Sequence, residues 1–453
     1  MNSSNMAARE KFASKLGTLM ALVGSAVGLG NIWRFPFLIG EYGAPFLLCY
    51  VICLLLLSIP ILNCEFIIGR FSHANAYRAY KHHGQRSVWK LAGIITLCVP
   101  LLIFSYYSVV GGWALDYFVK SCTFAFTRAA DLEAVSGMFG TLVSDPWIPL
   151  LFTLLFFLMT AYIVVAGVQG GIEKFSKIMM PLLFFLILGI SVWALTLPGA
   201  QRGLDFLFNL DATPFTAKTL MAAMGQAFYS VSLGAGTMIT YASYMSDDEP
   251  MIASSIRTAF FDFLFALIAS LAMLPATFAF GGDPGQGAGL AFRTMPMIFA
   301  SMPGGGIFAI VFFLALILAA LTSTASVFEV NVAFLTEEKG FKRTTAAGLL
   351  LCISTVLGSL SSLSFGPLKD FHILGLTFFE LMDQLCANIL MPLCGLFACL
   401  FVGWQMSRKD VHNELTNYGR LQLPRGTFRL MYTLIRYVAP AMLFLVMAAN
   451  FLS

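Results

Sequence analysis

The chain has 453 residues, of which 58% are hydrophobic and 11% are charged, and its mean hydropathy is +0.83. Soluble domains carry about a quarter charged residues, so this composition excludes an ordinary soluble domain and indicates a membrane protein. The formal net charge is only +4, and no basic run predicts a nucleic-acid surface.

Eleven apolar runs are long enough to cross a membrane as helices, which requires about 20 residues each. They cover residues 15–40, 43–69, 91–119, 147–166, 173–197, 215–244, 252–280, 304–335, 345–363, 373–404 and 430–452, and they are called spans 1 to 11 below. No polar stretch between them is long enough for a soluble domain. We therefore expect a single transmembrane domain over residues 9–452.

The basic residues indicate how the chain is oriented. If the N-terminus is cytoplasmic, eighteen Lys and Arg residues fall in the inner loops and six lie on or near the other side. The positive-inside rule then predicts a cytoplasmic N-terminus and, after eleven spans, an external C-terminus. The short loops favour a bacterial inner membrane, and we expect no cleavable signal peptide before residue 15.

Span 1 contains residues that do not favour a continuous helix. The run GSAVGLGNIWRFP at residues 24–36 combines three glycines with Asn31, Arg34 and Pro36, all of which weaken a membrane helix. Irregular backbone at membrane depth is stable only beside protein or a cavity. The pattern predicts a broken helix that forms a binding site.

A second glycine-rich interruption, SVSLGAG at residues 230–236, lies in span 6, five spans after the first. Interruptions at matching positions in two sets of five helices are typical of inverted repeats with a binding site at the membrane midplane. We expect one repeat over about 15–197, a second over about 215–404 and an extra helix at about 430–452.

Several stretches resemble the neurotransmitter:sodium symporter family, especially its bacterial amino-acid transporters with eleven spans. They are KLG at 15–17 with the run at 24–36, GIEKFSKIMMP at 171–181, GQ at 225–226 through YASY at 241–244, LTST at 321–324, and NILMPL at 388–393 with GW at 403–404. The resemblance implies an all-α membrane protein with a leucine-transporter-like fold: two five-helix inverted repeats, broken spans 1 and 6, and an eleventh helix. It also implies sodium-driven import of an amino acid by alternating access.

The same resemblance implies where the substrate binds. It places the substrate carboxylate on the amides of Leu29 and Gly30 and on the Tyr107 hydroxyl, although Tyr107 by itself would be interpreted as a packed aromatic residue. The other implied substrate-site residues are Ser25, Ala26, Ile103, Phe228, Tyr229, Ser230, Ser232, Ala235, Ser323 and Val327.

Two sodium sites are implied as well, because carbonyl, hydroxyl and amide oxygens are what a hard cation prefers. The first comprises the Ala26 carbonyl, Asn31, Ser230, Asp262 and the substrate carboxylate. The second comprises the carbonyls of Gly24, Val27 and Ala319 with the hydroxyls of Thr322 and Ser323. The shared carboxylate would couple ion and substrate binding reciprocally. Without its companion motifs, the run at 321–324 would be interpreted as helix packing.

Asp262 departs from the leucine-transporting pattern, which has an amide at the corresponding position. It is the only acid in its apolar run, and acids within membrane helices are by default functional candidates. Its carboxylate could bind sodium and replace the negative charge that chloride supplies in animal relatives, so we expect no chloride requirement. The alternative is an acid that caps a helix or faces a cavity.

Two positions indicate the substrate class. Gly28 stands where monoamine carriers have an aspartate, so the substrate is expected to bring its own carboxylate, as an amino acid does. Ala235 stands where leucine-type members have phenylalanine, which predicts a roomier pocket for a neutral amino acid with a large hydrophobic or aromatic side chain. A neighbouring side chain could refill that space.

The resemblance implies gates on both sides of the site. Arg34 and Asp383 match an outer pair above a Tyr229 lid, and Arg9 and Glu337 match an inner ion pair. Without the resemblance, the inner two residues are equally consistent with a solvated loop surface.

Two other functions are kept as alternatives: a non-transporting amino-acid sensor of the same fold, and a channel, which would need a continuous polar path. An enzyme is not expected, because no motif couples a nucleophile to a base or binds phosphate. The sequence does not predict the oligomeric state.

Overall fold

The computed structural model describes residues 10–83, 87–211, 213–282, 284–285 and 290–452, which are predominantly helical. Within them, nine helices are long and apolar enough to cross a membrane. All of the predicted spans are nevertheless present, because Gly30–Ser72 continues from span 1 into span 2 and span 6 consists of two shorter helices.

Spans 1 to 5 and their connections contain α1 (Lys15–Ala26), α2 (Phe35–Cys53), α3 (Ile59–Ser72), α4 (Ala76–His83), α5 (Ser87–Cys122), α6 (Leu132–Ser144), α7 (Ile148–Val165) and α8 (Lys174–Leu195). Three π-helical segments extend them: Gly30–Arg34, Leu54–Ser58 and Val168–Glu173. Helix α2 passes from span 1 into span 2 at Gly43, where φ is 66° and the helical backbone is interrupted.

Spans 6 to 11 and their connections contain α9 (Ala200–Phe208), α10 (Ala217–Ser230), α11 (Thr237–Ala242), α12 (Met251–Ala279), α13 (Met295–Ser301), α14 (Gly305–Lys339), α15 (Arg343–Leu363), α16 (Phe378–Gln384), α17 (Met391–Leu400), α18 (Arg408–Leu415), α19 (Arg425–Thr433) and α20 (Ala439–Leu452). The π-helical segments here are Leu290–Thr294, Leu385–Leu390, Phe401–Gln405 and Leu434–Val438.

Span 1 is broken at its middle, over a shorter stretch than its glycine run predicts. After α1, Val27 is extended with ψ of 109°, and regular helical backbone resumes at Gly30. Pro36 is the second residue of α2, which continues from the π-helical segment Gly30–Arg34, so it does not interrupt the span. Gly24 stays helical and serves close packing instead, because a Cβ there would lie 3.3 Å from Thr322 Cβ.

Span 6 is broken between α10 and α11, as predicted. Ser232, Gly234 and Gly236 have positive φ angles of 54°, 74° and 71°, a conformation that favours glycine. Gly234 also lacks room for a side chain, because a Cβ would lie 2.1 Å from the Met391 carbonyl oxygen. The interruption is therefore tightly packed against span 10.

The broken spans lie at the centre of the bundle. Helix α1 contacts α8, α12 and α14, and α14 packs along α5 and α7. The C-terminal half of α1 and the middle of α14 are continuously buried. Large apolar side chains of spans 4 and 5, such as Leu151 and Phe185, are exposed on the outside, as expected of a surface that faces lipid.

Candidate functional site

The two helix breaks face each other and are joined by side-chain hydrogen bonds. From span 6, Ser232 Oγ donates to the Ser25 carbonyl oxygen at 2.8 Å. From span 1, Asn31 Nδ2 donates to Ser230 Oγ at 3.1 Å. The fold thus gathers the backbone groups and short side chains of both interruptions around one central volume.

This volume is a cavity of about 30 Å³, with room for roughly one or two water molecules. It is lined by Ala26, Gly28, Gly30, Asn31, Ile103, Tyr107, Tyr229, Ser230, Ser232, Ala235, Ser323, Val327 and Met391. Most of the predicted substrate-site residues therefore surround the same cavity. Met391, from span 10, lines it as well and was not among the predicted residues.

Three predicted substrate-site residues are not among those that line this cavity. Ser25 Oγ donates to Ser326 Oγ at 2.8 Å within the bundle, and Leu29 lines a second cavity described below. Phe228 packs against Gly395, where an added Cβ would come within 2.7 Å of its ring. Since successive helical residues project about 100° apart, Phe228 faces span 10 while its neighbour Tyr229 faces the site.

The groups predicted to hold a carboxylate contact one another. The Leu29 amide donates to the Tyr107 hydroxyl oxygen at 2.7 Å. A Cβ at Gly28 would lie 2.7 Å from that hydroxyl and 3.1 Å from Ser323 Oγ. Glycine at this position is therefore required by packing, and an acidic side chain would not fit without displacing Tyr107.

Asp262 is fully buried and receives three hydrogen bonds from neutral side chains. Asn31 Nδ2 and Ser230 Oγ each donate to its Oδ1 at 2.7 Å, and the Tyr50 hydroxyl donates to its Oδ2 at 2.6 Å. Within the described part of the chain, none of the ion pairs involves Asp262. A carboxylate with neutral donors only, beside a broken helix, suits a hard cation.

The oxygens predicted for the second sodium site come from neutral groups at the contact between α1 and α14. Gly24 packs on Thr322, and Val27 ends the regular helix, so its carbonyl leaves the helical hydrogen-bond ladder. Thr322 Oγ1 donates to the Ala319 carbonyl at 3.0 Å, which leaves the hydroxyl lone pairs free to accept or to ligate. Ser323 lines the central cavity.

A second cavity, of about 190 Å³, lies on the side of Tyr229 away from the N-terminus. Arg34 and Asp383 both line it, yet the ion pairs of the described residues do not include one between them. The Arg34 guanidinium instead lies 4.8 Å from the centre of the Tyr229 ring, a cation–π arrangement. The two predicted outer-gate residues thus line one cavity without forming an ion pair with each other.

The N-terminal side of the site is closed by direct contacts. Phe12 packs edge-on against Tyr241 and Tyr244, with ring centres 5.7 and 6.0 Å apart. The Ala13 amide donates to the Glu173 carboxylate at 2.7 Å. The segment before α1 is thereby attached to spans 5 and 6.

Of the predicted inner ion pair, Arg9 lies outside the described residues. Glu337 accepts hydrogen bonds from the amide and the side chain of Asn75 at 2.9 and 3.0 Å. It therefore connects the end of α14 to the start of α4. The pairing of Arg9 with Glu337 stays a prediction.

Some residues that complete the site are absent from the predicted set: Tyr50, Glu65, Met391 and Gln226, whose Nε2 donates to the Gly30 carbonyl oxygen at 3.2 Å. Glu65 Oε1 accepts a hydrogen bond from the Gly234 amide at 2.7 Å and so holds the interruption of span 6. As an acid in an apolar span, Glu65 carries a signal in the sequence. Tyr50 carries none, because tyrosine is ordinary in membrane helices, and Met391 lies in the family-like stretch at 388–393, which by itself does not mark it as a residue of the site.

Comparison with known proteins defines the class. The model of the Sodium:neurotransmitter symporter family matches residues 9–131 and 147–453. The chain therefore belongs to this family.

Individual relatives span the whole chain. It is 36% identical over 440 residues to the "Uncharacterized sodium-dependent transporter YhdH" of Bacillus subtilis, with 96% of each chain covered. It is 30% identical over 460 residues to an "Uncharacterized sodium-dependent transporter" of Haemophilus influenzae, with 99% of each covered. The crystal structure of MhsT in complex with L-phenylalanine matches with a TM-score of 0.90 and 38% identity, covering 98% of this chain and 100% of that one.

These matches confirm the predicted family, the all-α leucine-transporter-like fold and the multi-pass membrane class. The family and the matched proteins are transporters, so the prediction that the chain is not an enzyme is confirmed too.

Proposed function

We propose that this protein is a sodium-coupled symporter that imports neutral hydrophobic L-amino acids, aromatic ones included, by alternating access. The observation that carries the proposal is the position of Asp262, a buried carboxylate hydrogen-bonded to Asn31 of broken span 1. MhsT, to which this chain is similar over its whole length, was crystallised with L-phenylalanine. An amino acid is therefore the substrate class best supported by both the site and the similarity.

Coupling follows from the closeness of the groups assigned to the ion and to the substrate. Asn31 Oδ1 accepts the Gly28 amide at 3.0 Å while its Nδ2 donates to Asp262. The Asn31 side chain therefore connects Gly28, which precedes the amides assigned to the substrate carboxylate, to Asp262, which is assigned to sodium. A cation beside Asp262 and a substrate carboxylate at the Leu29 amide attract one another, so each raises the affinity for the other.

Two sodium sites and chloride independence are part of the proposal. The first site consists of Ala26, Asn31, Ser230 and Asp262, and the second of Gly24, Val27, Ala319, Thr322 and Ser323. The fixed carboxylate of the first site supplies the negative charge that would otherwise have to come from an anion. The amino group of the substrate meets helix carbonyls rather than an acid, because position 28 has no room for one.

Uptake into proteoliposomes tests the proposal. Labelled Phe, Trp, Tyr and Leu are offered with an inward sodium gradient or an equal potassium gradient, in chloride and in gluconate. We expect accumulation only with sodium, at equal rates in both anions. Uptake indifferent to sodium overturns symport, strong chloride stimulation overturns the role of Asp262, and sodium-dependent binding without uptake identifies an amino-acid sensor instead.

We also propose that the protein lies in a bacterial inner membrane with its N-terminus in the cytoplasm. Cys122, at the end of α5, is exposed and would then face outward. A membrane-impermeant maleimide should label it in intact cells, and Cys122→Ser is the control that should remove this labelling. Labelling only after permeabilisation overturns the orientation.

A further inference from the structure

The central cavity is lined by a small residue at position 235, where we expect a large side chain in leucine-type members. Ala235, in the interruption of span 6, lines the cavity with a methyl group only. The volume is nevertheless only about 30 Å³, so the residues around Ala235 leave little free space. Met391, the first residue of α17 in span 10, lines the same cavity and is 2% exposed.

The backbone of Met391 packs closely against the interruption of span 6. The Met391 carbonyl is so close to Gly234 that a Cβ on the glycine would lie 2.1 Å from its oxygen. The Gly234 amide is itself bound by buried Glu65 at 2.7 Å. The Met391 backbone therefore packs directly on the interruption of span 6 and cannot move closer to it.

We propose that Met391 is a specificity-determining residue, which supplies from span 10 the side chain that the pocket lacks at Ala235 and limits the size of substrate that enters. This inference rests on the proposed amino-acid symport. Methionine is unbranched and has three rotatable bonds and a polarizable sulfur, so it adapts to aromatic and aliphatic neighbours. A single pocket can thus close around hydrophobic side chains of different sizes.

Substitutions at position 391 test the inference through the ratio of Trp to Leu transport efficiency, measured as sodium-driven initial rates. Met391→Ala enlarges the pocket and should raise the ratio about tenfold, and Met391→Phe should lower it by a similar factor, since small volume changes in an apolar pocket have effects of this size. Met391→Leu conserves volume and should change the ratio little. Met382→Ala is the matched control, because Met382 is a buried methionine of the same span that is not among the residues lining the cavity.

A double variant that moves the methionine to position 235 tests the inference further. The double variant Ala235→Met with Met391→Ala moves the methionine from span 10 to span 6 and should return the ratio towards that of the unsubstituted protein. Sodium-driven uptake with an unchanged ratio in both Met391→Ala and Met391→Phe overturns the role of Met391 and leaves symport standing. Absence of sodium-driven amino-acid uptake in the unsubstituted protein overturns the proposed function and this inference with it.

Discussion

Buried acids in two regions of this protein have opposite surroundings. On the N-terminal side, Glu414 is paired with Arg70 at 3.0 Å, and Glu329 is paired with Arg343 at 2.5 Å. At the centre, Asp262 receives hydrogen bonds from neutral side chains. A fixed arginine neutralises the first two acids permanently, whereas the charge of Asp262 stays available to a mobile cation. Among these three acids, a basic partner thus distinguishes the two that stabilise the fold from the one suited to transport.

The Arg70 pair illustrates the structural type. Besides Glu414, Arg70 donates to Asn417 Oδ1 at 2.9 Å and to the Glu249 carbonyl at 2.8 Å. It joins the end of span 2 to the segment before α12 and to the connection between spans 10 and 11. Because every one of these partners is fixed, we expect its loss to change stability more than transport.

Asp262→Asn removes the buried charge that has no basic partner and should have the largest effect on transport. Asparagine can keep hydrogen bonds to its neighbours but removes the charge, so the apparent sodium affinity should fall roughly 100-fold and uptake should need correspondingly higher sodium. The melting temperature should change little, because no ion pair is lost. Sodium titrations of uptake measure the effect, with Asp205→Asn on the exposed face of α9 as the control. Normal sodium dependence in Asp262→Asn would contradict the assignment.

Glu414→Gln should destabilise the protein and leave the sodium dependence of the folded fraction unchanged. It leaves the Arg70 guanidinium buried without its charge partner, which costs about 3–5 kcal/mol of unfolding free energy. Thermal unfolding in detergent measures this loss. The double variant Arg70→Met with Glu414→Met should recover part of it, because no uncompensated charge is then buried. An unchanged melting temperature in the single variant would show that the pair is not structural.

Tyr107→Phe should change substrate binding more than sodium binding, and so distinguish the two parts of the central site. Losing the hydroxyl removes the partner of the Leu29 amide, so we expect a KM for the amino acid about tenfold higher and a smaller change in sodium affinity. Tyr117→Phe is the matched control, because Tyr117 is buried on the same helix and its hydroxyl has no hydrogen-bond partner among the described residues. Equal KM values in the two variants would argue against a substrate role for Tyr107.

Asp248→Asn should have the smallest effect, because this acid is exposed. A hydrogen bond from Ser246 and the Lys15 ammonium at 3.0 Å lower the pKa of the Asp248 carboxyl to about 2. Since the folded pKa lies below the usual value, the stabilising contribution is complete above that usual value and is lost only as the pH falls through about 2. Uptake from about pH 5 to about pH 8 should be unchanged, and the melting temperature should shift by no more than about 2 °C. If uptake varied with pH in this range and Asp248→Asn removed that variation, the expectation that Asp248 has no role in uptake would be wrong.

Most of the fold could be predicted because membrane helices follow from apolar length alone. The break in span 6 was also placed correctly, since glycine in the left-handed region leaves a visible pattern. The extent of the break in span 1 was not predicted correctly, because glycine and proline also occur within helices. Gly24 packs against Thr322 within α1, and Pro36 lies in a helix that continues from Gly30.

Only part of the candidate site could be predicted. The family resemblance indicated residues that the fold does gather around one cavity, Tyr107 and Ser323 among them. It also indicated Phe228, which is not among the residues that line this cavity and packs against Gly395; its contact with the substrate stays a prediction. The contributions of Tyr50 and Met391 needed the packed bundle, since their types are common throughout the chain.

The amino-acid sequence by itself determined the membrane class, the number of spans, the two interruptions and the presence of an acid at 262, because apolar length, glycine and charge act locally. Which residues share the cavity and which acids have basic partners became known from the packed helices alone. Those properties depend on contacts between residues far apart in the chain, such as Gly234 with Met391 and Asn31 with Asp262, and no local pattern records them.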